Sequence, residues 1–168
     1  AHILIAGITC SEASPYLPRR SLVLRMLSED DFLIRPLPNL YIQRDPYAFV
    51  GRGAIVSIMQ FEARRRESLY ARYIFEHHPC FASTPILFGD NVGSNFPYHF
   101  EGGDIMVLNS ESVVMGISER TSAGAIQLVG QRLAQELGIR QILAVDIPKR
   151  RSYMHLDTVC TMVDYDIF

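Results

Sequence analysis

The spacing of apolar and polar residues changes period along the chain, and each change predicts an element. Residues 1–9, AHILIAGIT, read as the last turns of a helix that stops at Gly7. Pro15, Pro18 and several serines make residues 10–21 a loop. Residues 22–27 are a short apolar run with helical spacing, closed by Glu29-Asp30-Asp31. Residues 32–35 predict a short strand before the Pro36/Pro38 turn. Residues 47–50 and 54–59 predict two strands joined by Gly51-Arg52-Gly53. A helix follows over 62–78, with Phe61, Leu69 and Tyr73 near one stripe and Arg65, Arg66 and Arg72 toward water. Pro79 stops it. Residues 85–88 are a candidate strand and 89–97 a polar loop.

The same order then returns. Residues 105–108 and 112–117 predict a hairpin around Asn109-Ser110-Glu111. A helix runs over 122–137 with Ile126, Val129, Leu133 and Leu137 on one face, and Gly138 is placed to end it. Residues 141–147 predict a strand ended by Pro148. A third strand is expected over 158–163, with Cys160 as a small buried residue. Each unit is therefore strand, turn, strand, helix, strand, or ββαβ. Such a unit cannot cover both faces of its own sheet, so units must stack against one another. The polar residues keep the same rhythm. Asp45 to Glu101 is 56 residues (101 − 45), and Glu101 to Asp157 is 56 again (157 − 101). Asp45 to Arg64 is 19 (64 − 45), and Glu101 to Arg120 is 19 (120 − 101). The expected architecture is α/β: residues 1–31 as the tail of a helical insert and linker, and residues 32–168 as two modules plus the start of a third within one larger domain.

Composition narrows the function. A formal net charge of −2 over 168 residues gives no basic field for nucleic acid. No apolar run approaches the roughly 20 residues of a membrane-spanning helix. Three widely spaced cysteines without a CxxC pair point to a reducing compartment, and the expected location is the cytoplasm. No zinc-ligand spacing is present, and His77-His78 reads as a favourable charge at a helix C-terminus. The absence of a leader and of an initiator Met leads us to expect a piece of a longer chain.

Equivalent positions of stacked modules converge on a shared axis. The period thus predicts Asp45, Glu101 and Asp157 side by side, with Arg64 and Arg120 in a second tier. Neighbouring carboxylates repel unless a cation joins them. A planar guanidinium with five donors suits two such acids, and two arginines suit a carboxylate. Acids at one end and arginines at the other fit free arginine. His155, two residues before Asp157, shares its face in an extended segment and is placed to move protons.

PNLYIQRDP (38–46), ARRRES (63–68), EGGD (101–104), ISERT (117–121) and MHLDT (154–158) stand in order along the chain. Together they closely resemble the arginine deiminase family of the guanidino-group-modifying superfamily. The resemblance implies a five-bladed α/β propeller of ββαβ modules, of which this chain would be an arc. It implies hydrolysis of L-arginine to L-citrulline and ammonia through a covalent cysteine intermediate, with no metal or organic cofactor. By the same resemblance, Asp45 and Asp157 clamp the guanidinium and His155 pairs with Glu101 as the catalytic base and acid. Asn39, Arg64 and Arg120 take the substrate carboxylate, and Asp104 is a further site acid. Two departures stand out. The family's nucleophile lies in a glycine-containing loop beyond the matched segment, and none of Cys10, Cys80 or Cys160 has such a context. Ile42 stands where the family has an aromatic residue. The expected partners are free L-arginine and either further copies of the chain or a complementary piece of the same enzyme. The alternative is a non-catalytic remnant that keeps the fold for binding or assembly.

Taken singly, these residues have plainer explanations. An aspartate before a strand is usually a turn residue. Gly102-Gly103 marks a tight turn, and Arg65 and Arg66 belong to a solvated helix face. The equal spacing and the five motifs together lift Asp45 and its counterparts above that background.

Overall fold

A computed structural model describes residues 2–16, 21–89 and 97–168. The chain forms two compact units, residues 1–41 and 42–168. In the first, α1 (His2–Ala6) leads through Gly7 into β1 (Ile8–Thr9) and α2 (Cys10–Ala13), and α3 (Leu22–Met26) precedes β2 (Phe32–Ile34). β1 and β2 pair antiparallel. Gly7 has φ of +84°, and a Cβ there would lie 2.5 Å from the Ile34 carbonyl oxygen, so only glycine fits this turn. The expected loop over 10–21 differs in part. Thr9 and Glu12 form a reciprocal capping box that starts α2, a local signal the serine and proline content hid. Residues 17–20 lie outside the described residues. β2 belongs to this first unit through its pairing with β1.

The second unit contains both expected modules. β3 (Tyr47–Val50) pairs antiparallel with β4 (Gly53–Val56), α4 (Arg65–His77) follows a 3-10 turn at Glu62–Arg64, and β5 (Ile86–Phe88) returns parallel to β4. β6 (Ile105–Val107), β7 (Ser112–Ile117), α5 (Ala123–Leu137) and β8 (Gln141–Asp146) repeat the pattern, with β8 parallel to β7. The sheet orders are β3-β4-β5 and β6-β7-β8. Ser122 caps α5 at its start, and Gly138, at φ of +71°, ends it in the left-handed region. The expected loop over 89–97 falls mostly on residues 90–96, outside the described residues.

The modules share one core. On the first sheet, Ala54 and Val56 face α4 through Ala71 and Phe75, while Ile55 points the other way into a cluster with Ile126, Val129 and Leu133 of α5. A strand buried on both faces must be apolar throughout, as β4 is. On the second sheet, Val113 and Met115 join that α5 cluster, and Val114 and Met106 pack against Leu156, Cys160 and Met162. One module's open face is thus covered by the next segment along the chain.

Two expectations differ. α4 buries Glu67, Ser68, Ala71 and Phe75, whereas Leu69 and Tyr73 are 41% and 65% exposed. The apolar stripe read from the sequence faces out, because the buried side of α4 also carries an ion pair. Residues 158–163 form no strand. A 3-10 turn at Leu156–Thr158 is followed by irregular chain. No described neighbour offers this stretch a ladder of backbone partners, and Cys160 is half-buried.

Candidate active site

Each module carries an acid just before its hairpin and an arginine just before its helix. Asp45 precedes β3 and Arg64 ends the turn before α4. Glu101 precedes β6, and Arg120 lies before α5. The 19-residue spacing is therefore the distance between two ends of one sheet that the fold brings together. Arg64 Nη1 lies 2.5 Å from Asp45 Oδ2, and Arg120 Nη1 lies 3.6 Å from Glu101 Oε2. The arginines stand on the acids themselves, not in a separate tier.

The two modules are tied together at these acids. Gly102 N donates to the Asp45 carbonyl at 2.9 Å, and Ser57 Oγ donates to the same oxygen at 2.6 Å. A Cβ on Gly102 would lie 2.3 Å from the Arg44 carbonyl oxygen, and one on Gly103 would lie 2.8 Å from the His155 ring. The paired glycines let the second module approach both the Asp45 segment and the histidine.

His155 lies between the two acids. Its Nε2 is 2.8 Å from Glu101 Oε2, and its Nδ1 is 3.6 Å from Asp45 Oδ1. All three residues are buried. Burial opposes the imidazolium, but the hydrogen bond to Glu101 and the charges of Asp45, Glu101 and Asp104 outweigh it, so the His155 pKa rises above the usual histidine value. One carboxylate is hydrogen-bonded to the ring and a second lies 3.6 Å from its other nitrogen, so the surrounding charges favour the charged ring. Asp45, Glu101 and His155 each offer one ligand atom within 4.8 Å of the others, the one such metal-like cluster among the described residues. The two acids address different nitrogens of one ring, and Arg64 and Arg120 already stand on them. The ring is thus clasped between two acids that are themselves paired with arginines.

The other expected residues are placed as follows. Asp157 is half-buried and pairs with Arg44, whose Nε lies 3.6 Å from its Oδ2. Burial pushes the Asp157 pKa up, the charge of Asp45 adds to this, and His155 and Arg44 oppose it. Asp104, expected to touch substrate, has both oxygens on protein donors: Leu156 N at 2.8 Å and Ser118 Oγ at 2.6 Å. Burial raises its pKa despite those hydrogen bonds. Asn39 lies half-buried in a turn of the first unit. Ile42 contributes its carbonyl, which accepts from Arg64 Nη2 at 3.3 Å.

Several residues were not singled out from the sequence. Glu67 takes Arg64 Nε at 3.0 Å and Nη2 at 2.7 Å. Its i,i+3 spacing from Arg64 within ARRRES was the available signal. The two carboxylates hold the Arg64 pKa above its usual value against the opposing effect of burial. Gln60 N donates to Glu101 Oε1 at 3.0 Å and Thr121 Oγ1 accepts from Glu101 N at 3.1 Å. Arg120 places its guanidinium 4.3 Å from the centroid of the Phe61 ring, and its buried Nε has no hydrogen-bond partner among the described residues. A groove of about 880 Å³ lined by Arg44, Phe49, Met106, Asp157 and Met162 meets the polar cluster only at Asp157.

The two modules thus bring together buried acids that clasp a histidine, with arginines at hand. The fold resembles that of a dimethylarginine dimethylaminohydrolase mutant from Pseudomonas aeruginosa complexed with citrulline: TM-score 0.54, 23% identity, covering 73% of this chain and 44% of that one. It also resembles the N-terminal domain of ArgZ, an arginine dihydrolase from cyanobacteria bound to product, with TM-score 0.55 and 16% identity over 71% of this chain and 40% of that one. The sequence places the chain more narrowly. The arginine deiminase family model matches residues 3–168, and the chain belongs to the arginine deiminase family. It is 42% identical to the arginine deiminase of Staphylococcus epidermidis over 98% of this chain and 40% of that protein. It is 48% identical to that of Bacillus cytotoxicus over 82% of this chain and 33% of that protein. The chain therefore spans about 40% of the length of a curated relative it matches.

Proposed function

We propose that this chain carries the substrate-binding and proton-transfer face of an enzyme that hydrolyses L-arginine to L-citrulline and ammonia. The observation that carries the reading is His155 held between the buried carboxylates of Glu101 and Asp45. In this reading the substrate guanidinium binds Asp45 and Asp157. Arg64 is a guanidinium already on Asp45, so the acid is matched to that group. Arg64 hands Asp45 over to the substrate while Glu67 keeps its other edge, and its freed Nη1 turns to the substrate carboxylate. Arg120, with a buried donor unpartnered, takes the same carboxylate. His155 and Glu101 move the protons. A cysteine thiolate attacks the guanidinium carbon, ammonia leaves after protonation, and water then cleaves the carbon–sulfur bond. In this reading a cysteine that is not a member of the Asp45, Glu101 and His155 cluster supplies the thiolate.

The two modules serve as neighbouring blades of a five-bladed α/β propeller. The chain works in the cytoplasm and associates with further copies or with the remainder of the enzyme. Among the described residues, no helix is long and apolar enough to cross a membrane. A second reading, a binding module without turnover, is favoured by the lack of a cysteine in the cluster. Calorimetry separates the first step: L-arginine binds, agmatine, which lacks the carboxylate, binds more weakly, and Asp45→Asn abolishes binding. No saturable binding of L-arginine by the folded chain would overturn both readings. A citrulline assay separates the rest. The chain alone is expected to give no turnover, and turnover abolished by Cys160→Ser or Cys10→Ser would place the nucleophile within it. Turnover on addition of the C-terminal part of a relative supports the hydrolase, and binding without turnover supports the module.

A further inference from the structure

Ser118 is 6% exposed, and its hydroxyl is fully used. It accepts from Arg120 N at 2.9 Å and from Thr121 N at 3.0 Å, and it donates to Asp104 Oδ2 at 2.6 Å. A serine hydroxyl has one donor and two acceptor sites, so every site is filled. Two of the partners lead to Glu101 and the third to the histidine segment. Arg120 stands on Glu101. Thr121 Oγ1 accepts from Glu101 N. Asp104 Oδ1 accepts from Leu156 N, the peptide between His155 and Asp157. The surroundings leave little slack. Gly116 has no room for a side chain, since a Cβ would lie 2.5 Å from Asp104 Oδ1 and 3.0 Å from the Leu156 Cβ. Gly103 is closed in the same way by the His155 ring.

We propose that Ser118 is a positioning residue whose hydroxyl, through Asp104, sets the His155–Asp157 segment against Glu101 while fixing the backbone that presents Arg120. The Thr121 side chain also hydrogen-bonds Asp104, so the turn that carries Arg120 reaches Asp104 through two hydroxyls, of which that of Ser118 also accepts from the Arg120 backbone. The geometry also gives Asp104 its part: it is a bridge to Leu156 and not a ligand for substrate. Buried polar networks hold geometry in this way only when each member is satisfied, and loss of one leaves the others without partners. Removing the Ser118 hydroxyl strips one donor from Asp104 and one acceptor from two buried N–H groups. The bridge to Leu156 then loosens, and His155 loses its fixed distance to Glu101. This inference rests on the reading of His155 and Glu101 as the proton-transfer pair, but its test needs no turnover.

The test is proton NMR of the chain at low temperature. A ring N–H clasped by a buried carboxylate gives a resonance far downfield and slow to exchange. The wild-type chain should show one that disappears in His155→Gln. Ser118→Ala is expected to broaden or lose it, and Ser118→Thr, which keeps the hydroxyl, to retain it. A sharp resonance in Ser118→Ala, even with a lowered thermal midpoint, would reduce Ser118 to a turn cap and overturn the proposal. Absence of the resonance from the folded wild-type chain would overturn it too. If Ser118→Ala does not fold, Asp104→Asn decides: loss of the resonance supports the bridge, and a persisting sharp line overturns it. L-arginine binding, measured separately, tells failure of the hydrolase reading from failure of this one.

Discussion

Glu67 shows how much of a site is built from residues that stand behind those that meet a ligand. The Arg64 guanidinium is buried and has Glu67 on one edge and Asp45 on the other. Breaking a buried pair costs more than the pair contributes, because it strands a charge. Glu67→Ala should therefore lower stability by about 3 kcal/mol, the low end for such a break, since Asp45 still balances Arg64. Glu67→Gln, which keeps an acceptor for Nε, should cost less; urea denaturation of the two variants measures the order. The paired glycines make a second case. A methyl at Gly102 would meet backbone oxygen, whereas one at Gly103 would meet a side-chain ring that has some freedom to shift. Gly102→Ala should be the more destabilising, by about 3 kcal/mol against about 1, and only Gly103→Ala should displace His155 directly. Equal losses in thermal denaturation would sink this ranking.

At the scale of elements, α4 is instructive because its sequence stripe and its buried face differ. Phe75 packs edge-on against Tyr47, Phe49 and Phe81, while Leu69 is turned outward. Phe75→Ala should cost about 3–5 kcal/mol, the usual loss for a buried aromatic. Leu69→Ala should cost about 0.5 kcal/mol or less, as at other exposed positions. Comparable losses for the two in denaturant titrations would mean that the helix face has been assigned wrongly. The reversal has a cause in the site: α4 must turn Glu67 inward to meet Arg64, and this rotates the residues between Glu67 and His77 with it.

The whole molecule should carry the signature of the site in its response to pH. His155 has its pKa raised in the fold, and so do Asp104 and Asp157. A group with a raised folded pKa binds more protons folded than unfolded, so stability falls as pH rises between its two values. For His155 the stabilisation is full below the usual value of 6.5 and is lost as pH climbs through the raised one. For the two acids the cost of burying charge is absent below the usual 3.8 and grows as pH rises through their raised values. All three slopes have the same sign. His99, whose pKa burial lowers, contributes the opposite slope only below its usual 6.5, so denaturation at a series of pH values should show stability declining above pH 6.5. His155→Gln should flatten the part above pH 6.5; an unchanged slope there would remove His155 as its source.

Periodicity alone was enough to read two modules, down to the bounds of β7 and the glycine that ends α5, because hairpin turns and helix caps are local and leave local marks. The equal spacing placed Asp45 and Glu101 at equivalent points of the two modules, whereas Asp157, in a 3-10 turn with no strand after it, opens no third module. Tertiary structure decided the rest. It set Arg64 and Arg120 on the acids, turned α4 so that Glu67 faces in, committed Asp104 to Ser118 and Leu156, and left residues 158–163 without a strand. Each of these depends on which side chain meets a buried charge, or on whether a neighbouring strand exists. Such contacts join residues between 14 and 52 positions apart in the cases of Ser118 and Leu156 with Asp104, and no local pattern in the sequence records them.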